Sequence, residues 1–339
     1  MNTIVHTADD VGVAEAARLL RAGEVVAIPT ETVYGLAANA LDGQAVKKIF
    51  AAKGRPQDNP LISHVASMEM LADVWAEVTP QAQALARAFW PGPLTIILPR
   101  AAHVADEVCA GLPTASVRWP SHPAAQRIIR AAGVPLAAPS ANLSGSPSPT
   151  TARDVLADMD GRIPLVIDGG ACGVGVESTV VTLAGDAPEL LRPGYITKEQ
   201  LEQVLCCEVR LSDAVLHQLK EGERAASPGM KYKHYAPKAQ VVIVKGALSE
   251  YTAYVNAHLA DGVFALCFEG EEAGLRCPCV TFGRAQDEAS QARALFSALR
   301  ELDARGAKAA YARCPRESGV ALAVYNRLLR AAAFRVVQV

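Results

Sequence analysis

QVVIVKGALSEYTAYVNAHLADGVFALCF, residues 240–268, decides the fold class. Residues 240–245 form an apolar run rich in β-branched side chains, 249–260 carry helical spacing, and 262–268 form a second apolar run. The alternation continues to the C-terminus: PCVTF (278–282) as strand, DEASQARALFSALRELDA (287–304) as a long amphipathic helix, KAAYARC (308–314) as strand, GVALAVYNRLLRAAA (319–333) as helix and FRVVQV (334–339) as strand. Strands alternating with helices predict a small, parallel, Rossmann-like α/β sheet with helices packed on it.

Upstream, residues 218–240 (QLKEGERAASPGMKYKHYAPKAQ) lose this periodicity, while charge, Pro and Gly rise. Such a stretch reads as a linker. At 339 residues the chain exceeds one ordinary core. The expected division is 1–217, a linker at 218–239, and 240–339. The first unit also mixes strands with helices. A helix over 11–22 stops at Gly23, Asp42 caps one through LDGQAVKKIFAAK, and others are expected at 68–76, 80–89, HPAAQRIIRAA, after Thr150 or Thr151, and at KEQLEQVL. Between them lie the strand-like segments EVVAIPT, PLISHV, PGPLTIILPR, TASVRWP, PLAAPSAN, PLVIDGG, ESTVVTL, PELLRPG and CEVRLS.

Half the residues are hydrophobic and only 5% aromatic, so aliphatic cores are expected. A net charge of -2 argues against a wholesale electrostatic grip on nucleic acid. The N-terminus lacks a basic region followed by an apolar one, and no long apolar run suggests a membrane span. The expected location is the cytoplasm. Eight cysteines include no CxxC pair and read as reduced, scattered thiols.

Four clusters put polar side chains where strands end, the place where α/β sheets collect ligands. PTETVYGL (29–36) offers Thr30, Glu31 and Thr32, although an ordinary turn would use the same residues. KGRPQDNPLISH (53–64) brings Lys53 and Arg55 to a helix end, followed by Asn59 and His64. Arg55 has the planar fork that suits phosphate or carboxylate, and cations also suit a helix C-terminus. In TASVRWP (114–120), Thr114, Ser116 and Arg118 share one strand face. A charge inside a strand is costly alone, so Arg118 needs either an internal acidic partner or an anionic ligand. APSANLSGSPSPTTARD (138–154) gathers hydroxyls and backbone N–H groups before a helix N-terminus, an arrangement suited to anions. It is neither a Walker A loop nor GxGxxG. No GxSxG, HExxH or metal-ligand spacing occurs, and Cys172 near Glu177 has no His near it in sequence to activate it. Cations, hydroxyls and amides suit positioning and charge stabilisation rather than covalent catalysis.

Taken together, PTETVYGL, KGRPQDNPL, WPGPLT, APSAN and STVV, in that order, resemble the YrdC-like family, with KGR and SAN forming its KxR…SxN signature. KHYAP and the second unit, chiefly VYNRLLRAA, are similar to its long, two-domain form. The resemblance implies a twisted mixed-sheet N-terminal domain and an enzyme that joins L-threonine, bicarbonate and ATP into threonylcarbamoyl-AMP and pyrophosphate. Mg2+ is implied on the phosphates, and transferase proteins downstream would carry the threonylcarbamoyl group to tRNA. Carried over by position, Thr32, His64, Arg118, Ala138 and Ser178 resemble L-threonine contacts. Arg55, Asn59, Thr114, Ser140, Ser148 and Arg192 resemble ATP contacts. Lys53 and Asn142 belong to the signature near the phosphates, with Lys53 and Arg55 expected to serve catalysis. Tyr235 is similar to the residue that reaches over the nucleotide, which makes the linker a lid. Two other readings compete. An RNA-binding module without ATP turnover is favoured by the basic linker (Lys231, Lys233, Lys238), with a weak tRNA contact possible in either case. A carbamoyl-transfer enzyme of hydrogenase maturation is disfavoured by the missing CxxC pairs.

Overall fold

The computed structural model describes residues 2–218 and 235–339. The greater part of the linker expected at 218–239, with Lys231 and Lys233, lies outside the described residues.

The N-terminal elements run β1 (Ile4–Thr7), α1 (Asp10–Arg21), β2 (Val26–Ile28), β3 (Gly35–Asn39), α2 (Gly43–Lys53), β4 (Ile62–His64), α3 (Pro80–Phe89), β5 (Leu94–Pro99), α4 (Asp106–Cys109), β6 (Thr114–Arg118), α5 (Pro123–Ala132), β7 (Leu136–Ala137), α6 (Ala152–Met159), β8 (Leu165–Asp168), β9 (Thr179–Thr182), β10 (Glu189–Arg192), α7 (Lys198–Leu205) and β11 (Arg210–Leu211). Their strands form one mixed 11-stranded sheet, ordered β1-β8-β2-β3-β7-β4-β6-β5-β9-β10-β11. The C-terminal elements run β12 (Gln240–Lys245), α8 (Leu248–Ala257), β13 (Val263–Cys267), β14 (Cys279–Thr281), α9 (Glu288–Ala304), β15 (Ala309–Arg313), α10 (Ala321–Ala331) and β16 (Val336–Gln338). They make a separate 5-stranded sheet, β14-β13-β15-β12-β16, in which every pairing is parallel. The mixed-sheet N-terminal domain and the parallel C-terminal α/β domain are therefore both present.

Local signals explain most boundaries. The Asp42 carboxylate accepts from Gln44 and Ala45 N–H, and Gly54 ends α2 in the left-handed region at φ 60°. Thr151 caps α6 in a reciprocal box with Asp154. Three readings change. Residues 68–76 hold only a 3-10 turn, Glu69–Asp73. PLAAPSAN is a strand for two residues, Leu136–Ala137, and then breaks into the SAN loop. The strands β1 and β3 are additions. β3 is GLAAN, whose residues have weak intrinsic strand preference; antiparallel pairing with β2 and β7 and burial override it.

Strand alternation positions the site. Leu61 and Val117 join the core that also holds Val46, Ile49 and Phe50 of α2, so their neighbours Ile62, His64 and Arg118 face the opposite side of the sheet. On that side α1 and α5 pack over β2, β3 and β8. The loops after β2 and β7 and the C-terminal domain cover the surface beyond them.

Candidate active site

β4 and β6 pair in parallel with His64 opposite Arg118. Both side chains line a cavity together with Arg55, Ala138, Ser140, Ser178, Arg192 and Tyr235. Eight of the residues singled out in the sequence thus converge there from strands, loops and the end of the linker.

Arg118 is almost fully buried. Its Nη1 donates to Thr32 Oγ1 at 2.8 Å, and its Nη2 lies 2.8 Å from Glu31 Oε1, in ionic contact but off the hydrogen-bonding direction. Burial raises the Glu31 carboxyl, but the Arg118 guanidinium and nearby backbone N–H groups together outweigh it and hold Glu31 below the usual carboxylate range. Glu31 is therefore the internal acidic partner, so the placement of Arg118 in a strand does not by itself require a ligand carboxylate. Arg118 Nε nonetheless has no hydrogen-bond partner among the described residues, which leaves donor capacity inside the site. His64 Nδ1 sits 3.1 Å from the Ile62 carbonyl. Burial and the Arg118 charge push this imidazole down to about 3, so it is neutral near pH 7.

Arg192 donates from Nε to the Ser178 carbonyl at 3.0 Å and from Nη2 to the Ser178 hydroxyl at 3.1 Å. That hydroxyl also meets Thr95 Oγ1 at 2.8 Å. Arg192 is fully enclosed, and burial lowers it to about 10, still protonated near neutrality. Arg55 enters from the turn after α2, donating to the Asn59 and Pro60 carbonyls at 3.2 and 3.3 Å. Both amide atoms of the buried Asn59 side chain lack partners among the described residues, and Asn59 itself does not line the cavity. Tyr235 packs on Phe296 of α9 with ring centroids 5.2 Å apart.

Four residues act at one remove or lie elsewhere. Lys53 is buried, and its Nζ donates to the Ser140 and Asn142 carbonyls. Burial and the Arg55 charge hold its ammonium well below the usual lysine range. It fixes the SAN loop and does not line the cavity. Asn142 Nδ2 braces the same loop through the Leu143 and Ser146 carbonyls at 2.7 and 2.8 Å. The Ser148 hydroxyl donates to Glu177. Thr114 opens β6 at the end away from Arg118 and does not line the cavity.

Glu177 and its partner Arg327 were not recognised as site residues in the sequence. Burial raises Glu177, but Arg327, Arg192 and Ser148 outweigh it and keep it ionised. Arg327 comes from α10 and reaches Glu177 Oε2 at 2.9 Å. The available signals were the residue before STVV and the arginine in VYNRLLRAA. Cys172 is no nucleophile, because burial and the Glu31 charge push its thiol up to about 12.

Cationic and amide donors around a pocket without an activated nucleophile define a site for holding anions in line. The fold and the cavity are those of a two-domain α/β enzyme of group transfer. A family profile described as telomere recombination, Sua5/YciO/YrdC, matches residues 18–194, and one described as threonylcarbamoyl-AMP synthase, C-terminal domain, matches residues 196–333. The chain belongs to this family in its two-domain form. It is 46% identical over 338 residues to the threonylcarbamoyl-AMP synthase of Bacillus subtilis, covering 97% of this chain and 95% of that one. It is 44% identical to that of Pyrococcus abyssi over 335 residues, covering 96% and 95%. The crystal structure of P. abyssi Sua5 complexed with L-threonine superimposes with a TM-score of 0.92 at 42% identity, covering 100% of this chain and 99% of that chain.

Proposed function

We propose that the protein is a threonylcarbamoyl-AMP synthase that joins L-threonine, bicarbonate and ATP, releases pyrophosphate, and supplies the threonylcarbamoyl group for tRNA modification. The observation that carries this reading is the single cavity in which Arg118 with spare donor capacity, neutral His64, Arg55 and Arg192 meet without a nucleophile. Relatives of nearly the same length bear that name, and one was crystallised with L-threonine. The alternative of an RNA-binding module without turnover has no such support.

The roles follow from charge and reach. Arg118, held by Glu31 and Thr32, takes the threonine carboxylate, with His64, Ala138 and Ser178 shaping the rest of that subsite. Arg55, Asn59, Ser140 and Arg192 take the nucleotide, Tyr235 covers it, and Asn142 and Ser148 act from the loop that Lys53 holds. The carbamate formed from threonine is the nucleophile. Its oxygen forms a bond to the α-phosphorus, and the bond from that phosphorus to the bridging oxygen breaks, with the electron pair leaving on pyrophosphate. The protein therefore aligns two anions and offsets their repulsion with fixed cations. Among the described residues no group of three His, Cys, Asp or Glu could hold a metal, and Glu177, the one carboxylate lining the cavity, is already engaged by Arg327 and Ser148. Mg2+ therefore enters as part of the nucleotide substrate, carried on its phosphates.

The same reading places the domains at 1–217 and 240–339 with a lid between them, the transferase proteins of tRNA modification downstream, and the enzyme in the cytoplasm. A weak tRNA contact is compatible with it. Among the described residues no helix is long and apolar enough to cross a membrane. The test is pyrophosphate release from ATP that requires both threonine and bicarbonate, with mass detection of the adenylate. ATP-independent, salt-sensitive RNA binding with no pyrophosphate would reverse the conclusion.

A further inference from the structure

Residues 143–150 link the SAN loop to α6 and belong to no strand or helix. Two backbone bonds shape the near end: Ser144 N–H to the Lys53 carbonyl at 2.9 Å, and Ser146 N–H to Leu143 at 3.1 Å. From Pro147 onward both domains contribute: Tyr34 N–H reaches the Pro149 carbonyl and Cys172 N–H the Thr150 carbonyl, each at 2.9 Å, and the C-terminal domain adds two side-chain contacts. Arg300 of α9 donates to the Pro147 carbonyl at 2.6 Å. The Thr150 hydroxyl meets Ser297 of α9 at 3.2 Å. Between them, the Ser148 hydroxyl is held by Glu177, and Glu177 by Arg327 of α10.

Arg300 also ties down the near end. It pairs with Asp158 at 2.8 Å, and the same Asp158 oxygen accepts the Leu143 N–H at 3.3 Å. The domains meet closely enough that a Cβ on Gly175 would collide with the Arg293 backbone. Gly175 is also in the left-handed region at φ 85°.

Polar contacts between the domains also fall on Pro193, Ala214 and Val215. Those that bear on the cleft are the ones to Pro147, to Thr150 and to Glu177, a carboxylate of the cavity wall. Arg327 makes three further hydrogen bonds, to the Pro193 and Glu177 carbonyls and to Asn326, so its guanidinium is committed to protein groups and reaches a ligand only through Glu177. Arg300 does not line the cavity at all.

We propose that the C-terminal domain completes the nucleotide half of the cleft, with Arg300 and Arg327 as positioning residues that hold residues 147–150 and Glu177 in the shape that binds ATP. This rests on the reading of the cavity as a threonine and ATP site. The side chains of the threonine subsite, Arg118, Thr32, Glu31 and His64, are held by one another and by the N-terminal sheet, so threonine binding should change far less.

The test uses the full chain, with calorimetric titration of L-threonine and, separately, of magnesium α,β-methylene-ATP. Arg300→Gln is the first variant, since it touches neither ligand subsite. It should raise the nucleotide Kd roughly tenfold, the scale of one lost charge-assisted hydrogen bond, and leave the threonine Kd within about twofold. Gly175→Ala, which wedges the domains apart without altering a charge, should give the same split. Arg327→Met should repeat it if that variant folds; the other two decide the matter if it does not. An unchanged nucleotide Kd in both Arg300→Gln and Gly175→Ala overturns the proposal, as does an equal rise in both ligand Kds. If the parent protein fails to bind the nucleotide analogue, the underlying functional reading falls instead, and the clasp with it. If the parent binds it and Arg300→Gln binds it equally well, the clasp alone falls.

Discussion

Two buried Arg–Glu pairs flank the cleft, and they differ in one respect. Arg118–Glu31 joins two parts of the N-terminal domain at 2.8 Å, whereas Arg327–Glu177 joins the two domains at 2.9 Å. Arg327 is saturated: its three nitrogens all meet protein oxygens. Arg118 is not, since its Nε has no hydrogen-bond partner among the described residues and its contact with Glu31 is poorly directed. Buried ion pairs contribute little net stability in general, so both need another reason to exist. The saturated pair has a structural reason, the docking of the two domains. The unsaturated one has donor capacity left for a ligand.

The largest expected effects set these pairs against each other. Arg118→Met should weaken L-threonine binding roughly a hundredfold, the scale of losing hydrogen bonds to a charged group. Arg327→Met should leave threonine binding nearly unchanged. It should instead destabilise the folded protein by on the order of 3–5 kcal/mol, because Glu177 becomes a buried charge without its counter-ion. Titration calorimetry and thermal unfolding separate the two. Should Arg327→Met abolish threonine binding while Arg118→Met spares it, the contrast between a free and a committed guanidinium is wrong.

Those two arginines also mark what the sequence makes legible. Arg118 stands out because a charge within an apolar strand demands an explanation. KGR, SAN and STVV were readable together through the family resemblance, since KGR ends α2, SAN follows β7 and Ser178 precedes β9. Arg327 lies 150 residues from Glu177, on a helix whose spacing looks like ordinary core packing. Nothing local couples them; the link exists only once the domains dock. Lys53 shows a different limit. Its presence at the site was legible, but not its direction, which depends on carbonyls 87 and 89 residues away. β3 was hidden because its Ala and Gly residues carry no strand signal, and its pairing is decided by neighbours from elsewhere in the chain.

Arg55→Ala should give the next largest effect, a rise in the ATP KM of roughly tenfold with threonine affinity unchanged. It tests the comparison from the nucleotide side: Arg55 lines the cavity, as Arg118 does and Arg327 does not. A matching loss of threonine affinity would mean that the two ligands share one cation.

His64 adds a pH signature to the Arg118 pair. Its pKa is depressed from 6.5 to about 3 in the folded protein, by burial first and the Arg118 charge second. The unfolded chain therefore binds a proton that the folded chain refuses. Stability from this source is complete above about 6.5 and declines as pH falls from there towards 3. His64→Gln should flatten that part of the stability–pH curve measured by denaturant unfolding. An unchanged slope between pH 6.5 and 4 would show that the imidazole is accommodated in its charged form beside Arg118.

Thr114→Ala should produce the smallest effect. Thr114 shares the face of β6 with Arg118, so strand alternation alone made it a candidate for the nucleotide subsite. The register sets Ile62 opposite Ser116, which carries the Asn59–Pro60 turn toward Thr114. Four residues of extended chain nevertheless separate Thr114 from Arg118 by roughly 13 Å, and Thr114 is half-buried rather than lining the cavity. A change of about twofold or less in the ATP KM is expected, the size of losing one peripheral hydroxyl contact. A tenfold rise would show that the nucleotide runs the full length of the strand. The donor capacity that distinguishes Arg118 would then be one end of a continuous binding surface rather than a separate threonine pocket.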